Sequence, residues 1–317
     1  MANSDSDTTR LDAAARAGWL YYIAGNTQDE IARKLKVSRA TAQRLVSLCL
    51  SQRLITFRLE HPIAACMDLA AQLQDRFGIG YCEVAPTDPA DPGLVTGVAE
   101  RAAALLESTL RSDTPSIIGI GTGRSMRAAV ERIPAMQTRN HQLVSLVGNI
   151  SPDGSASPFD AVARLADLTG AQHYPMPLPV FLSSQTERKS LLGIEVVRKV
   201  RAIADKADLR LVGVGQLDQT APLHVDGFIS RTELLELIRL GAVGEVIGWA
   251  INADGEIIDG GSNLRLTSMP HSVPSRSLTI GVAAGTVKVG PIKAALKGRI
   301  LNGLITDEHT AKALLAG

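Results

Sequence analysis

Four short apolar runs in this chain each close on glycine: "SIIGIGTG" (116–123), "QLVSLVG" (142–148), "LRLVGVG" (209–215) and "LTIGVAAG" (278–285). Runs this short, rich in Val, Ile and Leu and lacking polar alternation, are strands buried on both faces. Between them lie stretches of helical periodicity. "YCEVA" (81–85) joins the same rhythm and leads through a proline- and aspartate-rich loop to a helix over 94–110. "SIIGI" precedes a helix through Ala128 and Val130, and "SPFDAVARLADLTG" predicts a helix from Pro158 capped by Ser157. Such alternation dictates an α/β domain, a parallel sheet covered by helices on both sides. "VIGWAINADGEIID" breaks the rhythm and predicts a hairpin with Asp254-Gly255 in its turn. The 317 residues exceed one hydrophobic core, so two domains are expected.

The segment ahead of His61 reads differently. Leu11 to Ala24 predicts a helix, with Leu11, Ala14, Ala15, Gly18, Leu20 and Tyr22 on one broad face and Gly25-Asn26 ending it. Thr27 with Glu30 three residues on is a capping box for a second helix, whose inward stripe is Ile31, Ala32 and Leu35. Ser38 caps a third helix to about Leu50, burying Ala42, Leu45 and Val46 and leaving Arg39, Thr41, Gln43 and Arg44 outside. The spacing resembles a helix-turn-helix motif. Lys36 stands at the usual turn glycine, so it adopts a left-handed conformation or the turn is of another kind. An arginine on such a helix donates two parallel bonds to guanine and a glutamine pairs similarly with adenine. Thr27 and Ser38 at helix starts suit phosphate. "QRLITFRLE", with Arg53 and Arg58, is a candidate strand or wing, and His61-Pro62 marks the boundary before a helix over Ile63–Phe77.

Net charge is only +1, so a nucleic-acid partner does not follow from overall charge; the segment up to Glu60, with nine basic and six acidic side chains, permits one. Three cysteines without a CxxC pair predict reduced thiols in a cytoplasm, and six scattered histidines predict no metal site. No apolar run is long enough to span a bilayer, which needs about 20 residues.

Ligands of an open α/β sheet bind beyond the carboxyl ends of its strands. Three glycine-rich ends fall there, at 119–125, 213–216 and 281–288. Gly121, Thr122 and Gly123 allow close backbone approach, and Arg124, Ser125 and the helix they start suit an anion. Neither a GKS/GKT P-loop nor a GxGxxG is present. Lys288 offers a second cation at the rim, and Glu245 an acceptor for sugar hydroxyls. Gly148-Asn149 offers a tight turn with an amide, while His224 and Asp226 lie in a loop after "GVGQLDQTAPL".

Taken together, "GIGTGRSM", "SLVGNI", "VGVGQLD", "GAVGEVIGWAINADG" and "GVAAGTVKVGPIKAALKGRILNGLITDEHTAKALL" resemble the SorC/DeoR-type family of sugar-responsive bacterial regulators. The resemblance implies a helix-turn-helix domain over 1–60 and a Rossmann-like effector domain over 61–317, similar to sugar-phosphate isomerases. It implies a DNA-binding regulator of a carbohydrate or sugar-alcohol operon, not an enzyme and without a cofactor. Its partners would be double-stranded operator DNA and a sugar, sugar alcohol or sugar phosphate, and it would act as a homodimer or homotetramer. Carried across by position, the effector site comprises Gly121, Thr122, Gly123, Arg124, Ser125, Gly148, Asn149, Gln216, Glu245 and Lys288. The rival reading is an active sugar-phosphate isomerase or deaminase with a regulatory head. It requires a positioned base, and no carboxylate–histidine pair stands at the strand ends. No lysine occurs between Lys36 and Lys189, so Lys288 is the main amine for any imine with a sugar aldehyde.

Overall fold

A computed structural model describes residues 2–52 (side chains from 9 onward), 54–55, 63–87, 96–138, 140–151, 153–157, 160–273, 275 and 277–316. The chain divides into two compact units, Met1–His61 and Pro62–Gly317. Arg53, Arg58 and the His61-Pro62 boundary, along with most of the candidate wing, lie outside the described residues. Among the described residues no helix is long and apolar enough to cross a membrane.

The first unit holds α1 (Ala2–Gly18), a wider π-helical turn over Trp19–Ile23, α2 (Gln28–Leu35) and α3 (Arg39–Ser51). The first helix thus begins well before the predicted Leu11. Its buried face runs through Ala14, Ala17 and Gly18, and Ala15 points outward. Gly18 is needed because a Cβ there would lie 2.1 Å from the Cys49 sulfur of α3. Gly25, at φ +68, ends the π turn, and the Asn26 side chain donates back to the Leu20 carbonyl at 2.9 Å. Thr27 and Glu30 cap α2 reciprocally, and the Thr27 N–H and hydroxyl hold the Glu30 carboxyl below its ordinary pKa. Ile31, Ala32, Ala42 and Val46 form the core with Ala17, and Leu45 packs against it half-buried.

Lys36 takes the left-handed option, at φ 55 and ψ 43. That conformation costs a side-chain-bearing residue about 1–2 kcal/mol, and a glycine loses about 0.5–1 kcal/mol in chain entropy. Lys36→Gly is therefore expected to stabilise the N-terminal unit by up to about 1 kcal/mol. An unchanged or lower midpoint of its calorimetric transition in the full chain would show that the Lys36 side chain contributes more than its strain.

The second unit runs α4 (Ala64–Phe77), β1 (Tyr81–Ala85), α5 (Thr96–Leu110), β2 (Ile117–Ile120), α6 (Arg124–Val130), β3 (Gln142–Ile150), α7 (Ala161–Thr169) and β4 (Gln172–Pro179). It continues with α8 (Gln185–Leu192), α9 (Glu195–Asp205), β5 (Leu209–Val212), β6 (Val214–Gln216), α10 (Pro222–Val225), α11 (Arg231–Arg239), β7 (Ala242–Val246) and β8 (Trp249–Asn252). The chain closes with β9 (Leu278–Val282), α12 (Val289–Lys297), β10 (Gly303–Asp307) and α13 (Glu308–Ala316). Seven strands, ordered β1-β10-β9-β5-β2-β3-β4, make one wholly parallel sheet. Apolar faces of α5, α6 and α7 cover one side through Val98, Ala102, Leu106, Met126, Val130, Val162 and Leu165. A second core, which includes side chains of α4, α9, α12 and α13, covers the other side. There β6, β7 and β8 form a small antiparallel sheet packed on α12.

Several predicted details differ. "LRLVGVG" is two strands, split at Gly213, one in each sheet. Gly148-Asn149 is no tight turn but the irregular end of β3, where a Cβ on Gly148 would lie 2.5 Å from the Leu178 carbonyl oxygen. Asp160, not Ser157, caps α7 by accepting from the Val162 N–H at 3.1 Å; Pro158 lies outside the described residues. The main hairpin turns at Ile247-Gly248, both at positive φ (47 and 86), which joins β7 to β8. Asp254-Gly255 makes a second turn beyond it, closed by the Asn252 N–H on the Glu256 carbonyl.

Candidate functional site

The strand order places β2 beside β5, yet β2 leads on to β3 on one side while β5 leads towards β9 on the other. This is the topological switch point, where the loops leaving two adjacent strands part and open a crevice. The loop after β2 carries Thr122 and Gly123 into α6, which opens with Arg124 and Ser125, and Gly213 to Gln216 leaves β5 for the small sheet. A cavity of about 320 Å³ lies there. Seven predicted residues line it: Thr122, Gly123, Arg124, Ser125, Gln216, Glu245 and Lys288.

The other three do not reach its wall. The Gly121 N–H bonds the Leu211 carbonyl at 2.8 Å, and its missing Cβ lets β5 and Ile247 approach. Gly148 and Asn149 remain within β3, where the Asn149 carbonyl accepts from the Ser157 N–H. The sequence reading missed the apolar wall, which includes Val147, Val180, Leu223, Phe228 and Ile247. Val180 is fixed there because its carbonyl accepts from the Thr267 N–H at 3.0 Å.

Each polar group in the wall has a defined setting. Arg124 opens α6 and pairs with Asp226, at 2.6 Å from Nη2 to Oδ1; Asp226 also lines the cavity, whereas His224 turns its Nδ1 to the Ile229 carbonyl. Glu245 sits in β7 opposite Gly215 of β6, and its Oε2 accepts from the Gly248 N–H at 2.6 Å. Its other oxygen lies over Gly215, where a Cβ would come within 2.0 Å, so glycine is required beneath the carboxylate. Burial pushes the Glu245 carboxyl up, against the pull of the Gly248 N–H and Lys288. Burial likewise pushes Lys288 down, while Glu245 supports its charge and Arg124 opposes it. Gln216, at 8% exposure, turns its Nε2 to the Thr220 carbonyl and hydroxyl oxygens at 3.4 and 3.3 Å. Among the described residues no group of three or more His, Cys, Asp or Glu side chains is arranged to hold a metal ion.

In the first unit the residues singled out for DNA fall on α3 and the two caps. Thr27 and Ser38 are occupied as N-caps, and the Ser38 and Thr41 hydroxyls lie 2.9 Å apart. Arg39, Gln43 and Arg44 are exposed; Arg39 lies 3.5 Å from Asp29, and the Arg44 Nε donates to the Ala40 carbonyl at 3.2 Å.

Residues 61–316 match a family described as "Putative sugar-binding domain". The erythritol catabolism regulatory protein EryD of Brucella abortus (strain 2308) is 35% identical over 316 residues, covering 99% of this chain and 98% of that protein. The transcriptional regulator LsrR of Enterobacter sp. (strain 638) is 31% identical over 320 residues, covering 97% and 94% respectively. The crystal structure of the full-length sorbitol operon regulator SorC from Klebsiella pneumoniae shares the fold, with a TM-score of 0.70 at 24% identity over 96% of this chain and 99% of that one. These relatives are named as regulators, which favours regulation over the isomerase reading. Matched along nearly its whole length, this chain belongs to the SorC-type family of sugar-binding transcriptional regulators.

Proposed function

We propose that the N-terminal unit reads a palindromic operator with α3 and that the switch-point cavity binds the effector, a sugar, sugar alcohol or sugar phosphate. Binding there changes operator affinity, in the cytoplasm and in a homodimer or homotetramer. The observation that carries this reading is the convergence of Arg124, Gln216, Glu245 and Lys288 from four separate elements on one cavity of about 320 Å³. That volume lies at the small end of ligand sites, which span about 300–1,000 Å³. The Brucella relative is named for erythritol catabolism and the Klebsiella structure for the sorbitol operon, which supports an effector of that size. The effector acts through its different affinity for the DNA-competent and incompetent arrangements, and a coupling of about 1–3 kcal/mol shifts operator affinity about 5–150-fold. Half-sites are expected about 34–36 Å apart, or at multiples of that, so that both reading helices meet one face of the duplex.

A thermal-shift screen of sugars, alditols and their phosphate esters tests the cavity. A true effector at about 100 times its dissociation constant should stabilise the fold by about 2.7 kcal/mol. A screen in which no member of either class raises the melting temperature rejects the cavity as the effector site. For the reader, Arg44→Ala should keep the fold, because the side chain is exposed. It should lose about 1–3 kcal/mol of operator preference over random DNA. Unchanged preference in a competition assay would remove α3 as the reading helix.

A further inference from the structure

We infer that the cavity is built for a neutral, hydroxyl-rich effector, a small alditol or sugar, and not for its phosphate ester; the inference rests on the cavity being the effector site. Four charged side chains line it among the described residues, the cations Arg124 and Lys288 and the carboxylates Asp226 and Glu245. Their formal charges cancel. Arg124 is already bonded to Asp226 at 2.6 Å, and Glu245 and Asp218 support the charge on Lys288. Whichever member of the Lys288–Glu245 pair holds the proton, the pair sums to zero. A phosphate ester brings about −1.5 to −2 charges. It would have to break the Arg124–Asp226 bond and stand against the carboxylate left behind.

One acceptor in the cavity lining has no donor among the described residues. Gln216 lines the cavity at 8% exposure, and its Oε1 has no hydrogen-bond partner among the described residues. The amide is held that way round because the Thr220 carbonyl can only accept, so the nitrogen must face it. A buried acceptor left without a donor costs about 1–3 kcal/mol. Glu245, whose second oxygen lies over the bare backbone of Gly215, offers the cavity a further acceptor. A ligand hydroxyl, which donates one proton, suits an acceptor of this kind. The apolar wall of Val147, Val180 and Phe228 leaves room for the carbon chain.

The experiment is titration calorimetry of the full chain with erythritol, ribitol and sorbitol, and with their phosphate monoesters. At least one alditol should bind tenfold or more tightly than its ester. Gln216→Leu should weaken that binding tenfold or more while keeping the ligand-free circular-dichroism spectrum. Asp226→Asn removes one negative charge from the cavity and should move the preference at least tenfold towards the ester. An ester that binds more tightly than its alditol and releases the operator would overturn the neutral-effector inference and leave the effector site standing. Wild-type affinity for the alditol in Gln216→Leu would also overturn it. Failure of both ligand classes to bind the wild-type chain would overturn the effector-site reading with it.

Discussion

Gly255→Ala is expected to destabilise the Pro62–Gly317 unit by about 2–5 kcal/mol, the sum of a backbone and a packing cost. Gly255 sits at φ +80 in the turn beyond β8, a conformation that costs an alanine about 1–2 kcal/mol. The added methyl would also lie 2.2 Å from the Ala294 carbonyl oxygen and 2.6 Å from the Gly298 Cα, and backbone cannot rotate aside. Overpacking of this kind costs about 1–3 kcal/mol, sometimes more. Gly298→Ala is the built-in control. Its methyl meets the Gly255 carbonyl oxygen at 2.4 Å, but Gly298 is at φ −74, so only the packing cost applies. Urea unfolding should rank Gly255→Ala well below Gly298→Ala, and both below wild type. Equal midpoints for the two variants would remove the backbone-conformation share.

Acid is expected to destabilise the same unit through His271. Burial, with Arg210 nearby, lowers its pKa from 6.5 to about 4, against the Val246 carbonyl that accepts from its Nε2–H at 3.1 Å. The unfolded histidine takes up a proton near pH 6.5, whereas the folded one resists until about pH 4. The stability from this residue is therefore whole above pH 6.5 and falls as the pH drops towards 4, by about 3 kcal/mol in total. Glu245 works the other way, since its raised pKa removes stability as the pH climbs above its ordinary value of 4.5. Comparing wild type with His271→Gln across this window isolates the histidine. Denaturant midpoints with the same acid slope in both proteins would show that His271 takes up its proton without opposition in the folded chain.

Where local chemistry decides structure, the sequence was a good guide. The Thr27/Glu30 and Ser38 caps fixed the starts of α2 and α3 because a cap needs only residues three apart. The doubly covered strands β2 and β9 announce themselves through short, mostly apolar runs. Strand β4 did not, because Pro175, Pro177 and Pro179 argue against a strand. It is tolerated because β4 is the sheet edge and pairs only with β3, so one side of its backbone needs no donors. The Ile247-Gly248 turn was hidden for a related reason. A β-branched residue at positive φ is strained, and Asp254-Gly255 nearby is the stronger turn signal. At the site, charged and glycine residues were legible as chemistry, but Val147, Val180 and Phe228 looked like any core residues. Only the topology, which brings the ends of β2 and β5 together, distinguishes wall from core. Asp226 was noticed in its loop, yet nothing short of geometry ties it to Arg124, so far away along the chain.

At the sheet's other edge β1 has one neighbour, β10, with Tyr81 opposite Gly303 and Ala85 opposite Asp307. A ribosome making this chain must therefore reach β10 before β1 finds a partner. The helices of the first unit depend on contacts inside Met1–His61 and have no such wait. Domains fold largely as they emerge, N-terminal first, at about 5–20 residues per second. Closing the long loop from Tyr81 to Gly303 adds entropy cost and slows the second unit further. At that rate the first unit is thus complete for about 12–50 seconds while the second is still a nascent chain.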